Sequence, residues 1–319
     1  MGTSASTAII IVTAVLFAFS LSAACLRCVV RLRLVKAFGS DDICMIIAMV
    51  LNIGLFICGI VGAHYGMGKD VAYLASHPEA RRKGFLCWWL GELFYVSTCT
   101  AARISIALTL LRIAVGRAYS WVLYATMGLS TVAGTVFFFF TVFQCSPVSS
   151  YWNQPEDKGA CLDIDLLLGI VYAYSGVAIL CDFTIGLLPV FLIRDLQLSR
   201  RTKISLMTVL GIGCMYVQFL FVDMDPLCLI ATFNSAGAAV IVRIPFLHLA
   251  KSPDFLHATT QISIWSNAEA NLGITAGSLA TVRPLIRRIS EAITSIKSKY
   301  THLALSQTTC TAPNAGQTS

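Results

Sequence analysis

Charge is what this chain has least of. Of its 319 residues only 12% are Asp, Glu, Lys or Arg, half of the roughly 25% that a water-facing surface carries. A mean hydropathy of +0.77 points the same way. Together these exclude a soluble enzyme, a coiled coil and a disordered scaffold, and leave a polytopic membrane protein. There is no basic arm and no interleaving of aromatic and basic residues, so the net charge of +7 does not indicate nucleic acid. Catalytic frames are also missing. Gly66-Met67-Gly68 lacks the preceding strand and third glycine of a phosphate loop, and neither Ser-x-x-Lys nor His-Glu-x-x-His occurs.

What is present is apolar length. Six stretches are long enough to cross a hydrocarbon core, which takes about 20 helical residues: Ala8–Val30, Ile43–Ala63, Phe85–Leu111, Trp121–Phe143, Leu166–Ile193 and Ile262–Val282. Leu206–Phe246 is apolar too, but too long for one ordinary span. Without Tyr216–Asn234, its two flanks, Leu206–Met215 and Ser235–Arg243, join into one helix of ordinary length. That segment holds Asp223-Met224-Asp225-Pro226, two acids and a helix breaker, and reads as an insertion or a retained intron. The alternative is two short spans meeting at Asp223–Pro226. The expected fold is all-α: a seven-helix transmembrane bundle over residues 8–286, a short outer N-terminus at 1–7, and a disordered cytoplasmic tail at 287–319.

Orientation follows from the basic residues. With the N-terminus outside, the cytoplasmic segments hold Arg31, Arg33 and Lys36; Arg112 and Arg117; Arg194, Arg200, Arg201 and Lys203; and Arg287, Arg288, Lys297 and Lys299. The outer loops hold fewer: Lys69, Arg81, Arg82, Lys83, Lys158 and Lys251. The excess sets the C-terminus inside. The first span has no basic residue before it and three just after, as a signal-anchor does. No lipid anchor is expected, and the plasma membrane is favoured over internal membranes.

Most of the twelve cysteines fall inside spans, where Cys acts as a small hydrophobe. Cys25 and Cys28 form a C-x-x-C without a second ligand pair. His64 and His77 belong to a solvated loop, and no metal site is expected. Cys145 and Cys161 bracket an outer, oxidising loop, where a disulfide is expected. They pair with each other, or one of them pairs with Cys87. Trp88, Trp89, Tyr151 and Trp152 lie near outer boundaries and read as interface anchors.

A set of strings recurs in order along the chain. It comprises Gly39-Ser40-Asp41-Asp42, Tyr65-Gly66-Met67-Gly68-Lys69, Leu93-Phe94-Tyr95, Arg103-Ile104-Ser105 and Leu110-Leu111-Arg112-Ile113. Phe143-Gln144-Cys145-Ser146-Pro147, Tyr151-Trp152, Cys161, Asp182, Leu188-Pro189 and Leu196 follow. Ile264-Trp265, Glu269-Ala270-Asn271-Leu272-Gly273-Ile274 and Arg283-Pro284-Leu285 close it. The set resembles the fungal rhodopsin-domain family, which includes appressorium-receptor-like and satratoxin-cluster membrane proteins, over roughly residues 8–288. The resemblance implies a seven-helix integral membrane protein, often encoded beside secondary-metabolite genes. Two positions depart from the family: Arg103 stands where Lys is usual, and Ala280 where a proline is usual. The last span has no lysine, so no retinal and no other cofactor is expected. Leu111-Arg112-Ile113 replaces the Asp-Arg-Tyr of animal receptors, so coupling to a G protein in their manner is not expected.

An ionisable group at membrane depth costs about 2.5–3.5 kcal/mol, so it turns inward and finds a partner. Glu92 and Arg103 project from one helix face, about 16 Å apart, and with Asp182 and Glu269 line one polar track or act as interhelical glue. Glu269, Asn271 and Trp265 gather an acid, an amide and an aromatic within two turns. The candidate ligand-binding residues are therefore Glu92, Arg103, Asp182, Trp265, Glu269 and Asn271. The expected function is a receptor-like or accessory membrane protein of secondary metabolism that binds a small apolar ligand in its bundle. The alternatives are a metabolite or proton-coupled carrier, disfavoured because no inverted repeat is evident, and a membrane-embedded enzyme using Glu92, Asp182 or Glu269. Its partners are the lipid bilayer, that ligand and a signalling partner the sequence does not name.

Overall fold

The structure, a computed structural model, describes residues 2–36, 38–69, 71–112, 114, 116–153, 160–195, 240–242 and 255–281. α1 (Gly2–Val29) runs into a π-helical turn over Val30–Val35. α2 (Ser40–Tyr65), the short α3 (Val71–Ser76), α4 (Pro78–Leu111) and α5 (Arg117–Val142) follow. Strands β1 (Cys145–Ser146) and β2 (Ala160–Cys161) flank the single turn α6 (Ser150–Asn153), and α7 (Ile164–Asp195) comes next. α8 (Phe255–Ala258) leads into α9 (Thr260–Thr281). Each of the six clear apolar stretches coincides with a long helix. Of Leu206–Phe246 only residues 240–242 are described, as helix; the suspected insertion at 216–234 and the tail at 287–319 lie outside the described residues.

Among the described residues five helices are long and apolar enough to cross a membrane: α1, α2, α4, α5 and α7. α9 falls short because its surroundings are protein rather than lipid. Asn267, Glu269, Asn271 and Ser278 on it are all buried, and it packs against α1, α2 and α4.

α2 shows why the sequence reads as lipid-facing. Ile43, Ile46, Ile47, Val50, Ile53, Ile57 and Val61 recur at helical spacing and stay exposed, Val50 at 61%. The opposite stripe, including Met45, Ala48, Asn52, Cys58 and Gly59, is buried. Large branched side chains outside and small or polar ones inside invert the soluble pattern. In lipid, helices associate by close packing and polar contacts rather than by hiding apolar surface. α5 repeats this with Val132, Val136, Phe139 and Phe143 outward.

The helices alternate in direction. One end of the bundle gathers the start of α1, the α2–α3 turn, the start of α4, the β1–β2 hairpin and α8. Ser6 Oγ donates to the Met67 carbonyl (2.8 Å) and the Gly68 N–H to the Leu256 carbonyl (2.9 Å). The strands pair antiparallel with Cys145 opposite Cys161, and these two form a disulfide. Cys87, the competing partner, is buried and free. The other end gathers Arg27, Arg31, Asp41, Asp42, Arg112 and Gly277.

Candidate functional site

At the arginine end the Gly-Ser-Asp-Asp string opens α2. The Asp42 carboxylate accepts from the Gly39 N–H (3.1 Å), capping the first turn, where negative charge meets the positive end of the helix dipole. Arg27 Nε donates to Asp42 (2.8 Å), Nη2 to Asp41 (2.8 Å) and Nη1 to the Gly277 carbonyl (2.9 Å). Arg31, carried by the π turn, reaches Asp41 as well (2.9 Å), and Arg112 pairs with it from the end of α4 (2.6 Å). Thr109 Oγ1 donates to Asp41 (3.1 Å) and Ser105 Oγ to its backbone carbonyl (2.6 Å). The Arg112 guanidinium lies where a Cβ on Gly39 would stand, so a larger residue there would displace it. Three guanidiniums thus face two carboxylates, tying α1, α2, α4 and α9 together.

Deeper in the bundle, Arg103 of α4 grips Asp182 of α7 with two hydrogen bonds, Nε–Oδ1 at 2.7 Å and Nη2–Oδ2 at 3.0 Å. The same Nη2 donates to Glu269 Oε1 on α9 (2.8 Å), and the Tyr95 hydroxyl donates to Glu269 Oε2 (2.5 Å). All four residues are buried. A planar guanidinium presents five fixed donors and serves two carboxylates at once, which an ammonium does less well. Here the acids outnumber the base.

Beside this triad an amide cluster joins three other helix faces. Asn271 Oδ1 accepts from Ser20 Oγ (2.6 Å) and Asn52 Nδ2 (2.8 Å), while Asn271 Nδ2 donates to the Asn267 carbonyl (2.8 Å).

Toward the disulfide end the helices part around a cavity of about 380 Å³. Its walls are mainly apolar and aromatic, with Phe85, Trp88, Tyr151 and Phe255 in mutual ring contact. The rim includes Cys145, Cys161 and Gln144. Trp88 Nε1 donates to Glu92 Oε1 (3.1 Å) on the cavity wall. Burial first, and the Glu92 charge second, hold the Tyr151 hydroxyl well above its ordinary pKa. Tyr95 belongs to both levels: its side chain lines the cavity and its hydroxyl holds Glu269.

The structure therefore divides the sequence-predicted residues. Arg103, Asp182 and Glu269 come together in one triad, and Glu92 stands apart as a cavity residue. Asn271 does not converge on Glu269. Trp265 packs on Leu16 of α1, and Asn271 faces Asn52 and Ser20. Two residues along a helix turn the face by about 200°, so Asn271 points nearly opposite to Glu269. Trp88 and Tyr151 were expected at the interface with lipid; instead both turn inward. Sequence reasoning also passed over Arg27, Tyr95, Gln144 and Asn267. Arg27 carried a signal, a lone cation near the end of one span with an acidic pair opening the next. Tyr95 and Gln144 stood in the strings Leu93-Phe94-Tyr95 and Phe143-Gln144-Cys145 with no role assigned, and Asn267 carried no signal. Among the described residues no group of three His, Cys, Asp or Glu side chains has the geometry to hold a metal.

A profile of the fungal rhodopsin domain matches residues 26–288. A Metarhizium anisopliae protein named polyenoic acids biosynthesis gene cluster protein Ba17b is 25% identical over 285 residues, covering 86% of this chain and 72% of that protein. No solved structure matches. The profile takes in the Asp41–Asp42 cluster, the Arg103 triad, the disulfide loop and all of the cavity lining, and the chain belongs to the fungal rhodopsin domain family.

Proposed function

We propose that this protein is a seven-helix, receptor-like or accessory membrane protein of fungal secondary metabolism, and that it binds a small apolar ligand in the cavity at its disulfide-bonded end. The observation that carries the reading is that cavity: lined by α2, α4, α7 and α9, walled by rings, and including Tyr95, which is bonded to the charged triad. Pockets of this kind, apolar with few placed polar groups, are the usual form of small-molecule sites.

The seven-helix count is supported by chain direction. α7 ends beside Leu110 and Leu111, toward the arginine end, whereas α8 and α9 start at the disulfide end. That arrangement supports an odd number of passages between them, and so one helix over the two-span alternative. A disulfide at one end and clustered arginines at the other support N-terminus out. The name of the Metarhizium relative supports the link to a biosynthetic cluster. The plasma membrane is the proposed location.

Gene deletion with metabolite profiling tests the pathway link; an unchanged profile sinks it. Complementation with Gly91→Leu tests the cavity. A side chain at Gly91 would meet only Cys58, 3.9 Å away, before entering the open space. Full rescue by that variant would count against a ligand there. A carrier remains the second reading, favoured by three ionisable groups at depth, and it predicts uptake that is lost in Glu269→Gln.

A further inference from the structure

The formal charge on the cavity wall has one sign. Among the described lining residues Glu92 carries the only formal charge, and no Lys, Arg or His joins it. Asn267 lines the cavity with its amide oxygen buried and without a hydrogen-bond partner, while its nitrogen donates one N–H to the Ser263 carbonyl (3.0 Å). That bond fixes which end of the amide is the acceptor. The Tyr95 proton is committed to Glu269. Behind Tyr95, Arg103 is shared by two carboxylates. The donors on the wall are uncharged, among them Gln144 Nε2, buried without a hydrogen-bond partner, and the Tyr151 hydroxyl.

The rings add to this. Phe85, Trp88, Tyr151 and Phe255 contact one another beside Glu92, and ring faces attract cations within about 6 Å. Arg81, which does not line the cavity, already sits 5.8 Å from the Phe85 centroid.

Resting on the reading of this cavity as a ligand site, we propose that its ligand is an amphiphilic amine, with an apolar body in the cavity and a protonated nitrogen between Glu92, the Asn267 oxygen and the ring cluster. A free carboxylate would meet a like charge and no cation, so the site selects against fatty acids of the same length.

The test uses the full-length protein in phosphatidylcholine nanodiscs with dodecylamine, dodecanol and dodecanoate as probes. All three dissolve in lipid, so binding is read as the saturable difference between wild type and Gly91→Leu. Dodecylamine should bind about tenfold more tightly than dodecanol, the effect of one favourable charge contact of about 1.4 kcal/mol, and dodecanoate should bind most weakly. Glu92→Gln should bring the amine down to the alcohol's affinity and leave the alcohol unchanged, while Glu92→Asp should keep the preference. Dodecanoate binding as tightly as the amine, or a preference that survives Glu92→Gln, overturns the inference and leaves the cavity reading standing. Absence of saturable binding for every probe overturns both. If Glu92→Gln does not fold, the head-group series on wild type decides alone.

Discussion

At the arginine end, Arg27, Arg31, Arg112, Asp41 and Asp42 fill the space between α1, α2 and α4 with ion pairs, and Arg27 fastens the α9 backbone to them. At the disulfide end, the space between α2, α4, α7 and α9 stays open, walled by rings and one acid. The same helices make both ends, so the difference lies in what each presents at successive turns. One end is held by charge with no room for a guest. The other has room, and the disulfide of Cys145 and Cys161 forms part of its lining. Fixing one end and opening the other is how a bundle combines stability with a site.

Six variants sharpen or break that contrast. The largest effect is expected at the closed end. Asp41→Ala strips partners from three arginines and leaves buried charge uncompensated, which destabilises by about 3–5 kcal/mol. Thermal unfolding in detergent should show it, and a near-native midpoint would mean that the cluster is not what fastens this end. At the open end Cys145→Ser removes the cross-link of a loop with a sequence separation of 16. The chain-entropy model gives about 3 kcal/mol for a loop of that size, and the loss should appear as proteolysis within residues 146–160 while the arginine end stays protected.

Between the two ends, the triad should respond unequally to loss of its acids. Asp182 takes both hydrogen bonds of a forked contact, so Asp182→Asn should lower stability by about 2–3 kcal/mol. Glu269→Gln removes the excess negative charge and should cost about 1 kcal/mol or less. Equal losses would refute the unequal division of Arg103. The smallest effects belong to neutral and surface contacts. Asn271→Ala should cost about 0.6–1.7 kcal/mol, the range of hydrogen bonds between membrane helices. Glu79→Ala, which breaks an exposed pair with Lys83, should leave the midpoint unchanged.

Much of this fold is legible in the sequence, because the solvent writes it there. The predicted limits of α2 and α9, Ile43–Ala63 and Ile262–Val282, lie within a few residues of Ser40–Tyr65 and Thr260–Thr281. Lipid demands length and apolarity locally, residue by residue. Cys145 and Cys161 were legible as a pair only up to the rival claim of Cys87, since spacing says nothing of distance across the bundle. That Arg103, Asp182 and Glu269 are buried could be argued from cost alone. That one guanidinium serves both acids could not, because α4, α7 and α9 meet through packing that no local pattern records. Asn271 was misjudged for a reason within reach, the two-residue spacing that turns it away from Glu269.

Low charge determined the solvent, the helical class and the rarity of ionisable groups at depth, all consequences of the energy of one residue in lipid. Only the tertiary structure decided how the exceptions are distributed: three arginines on two acids at one end, one arginine between two acids in the middle, and Glu92 on the wall of a cavity at the other. Pairing energies depend on distances between helices far apart in the chain, and those distances are set by the whole bundle.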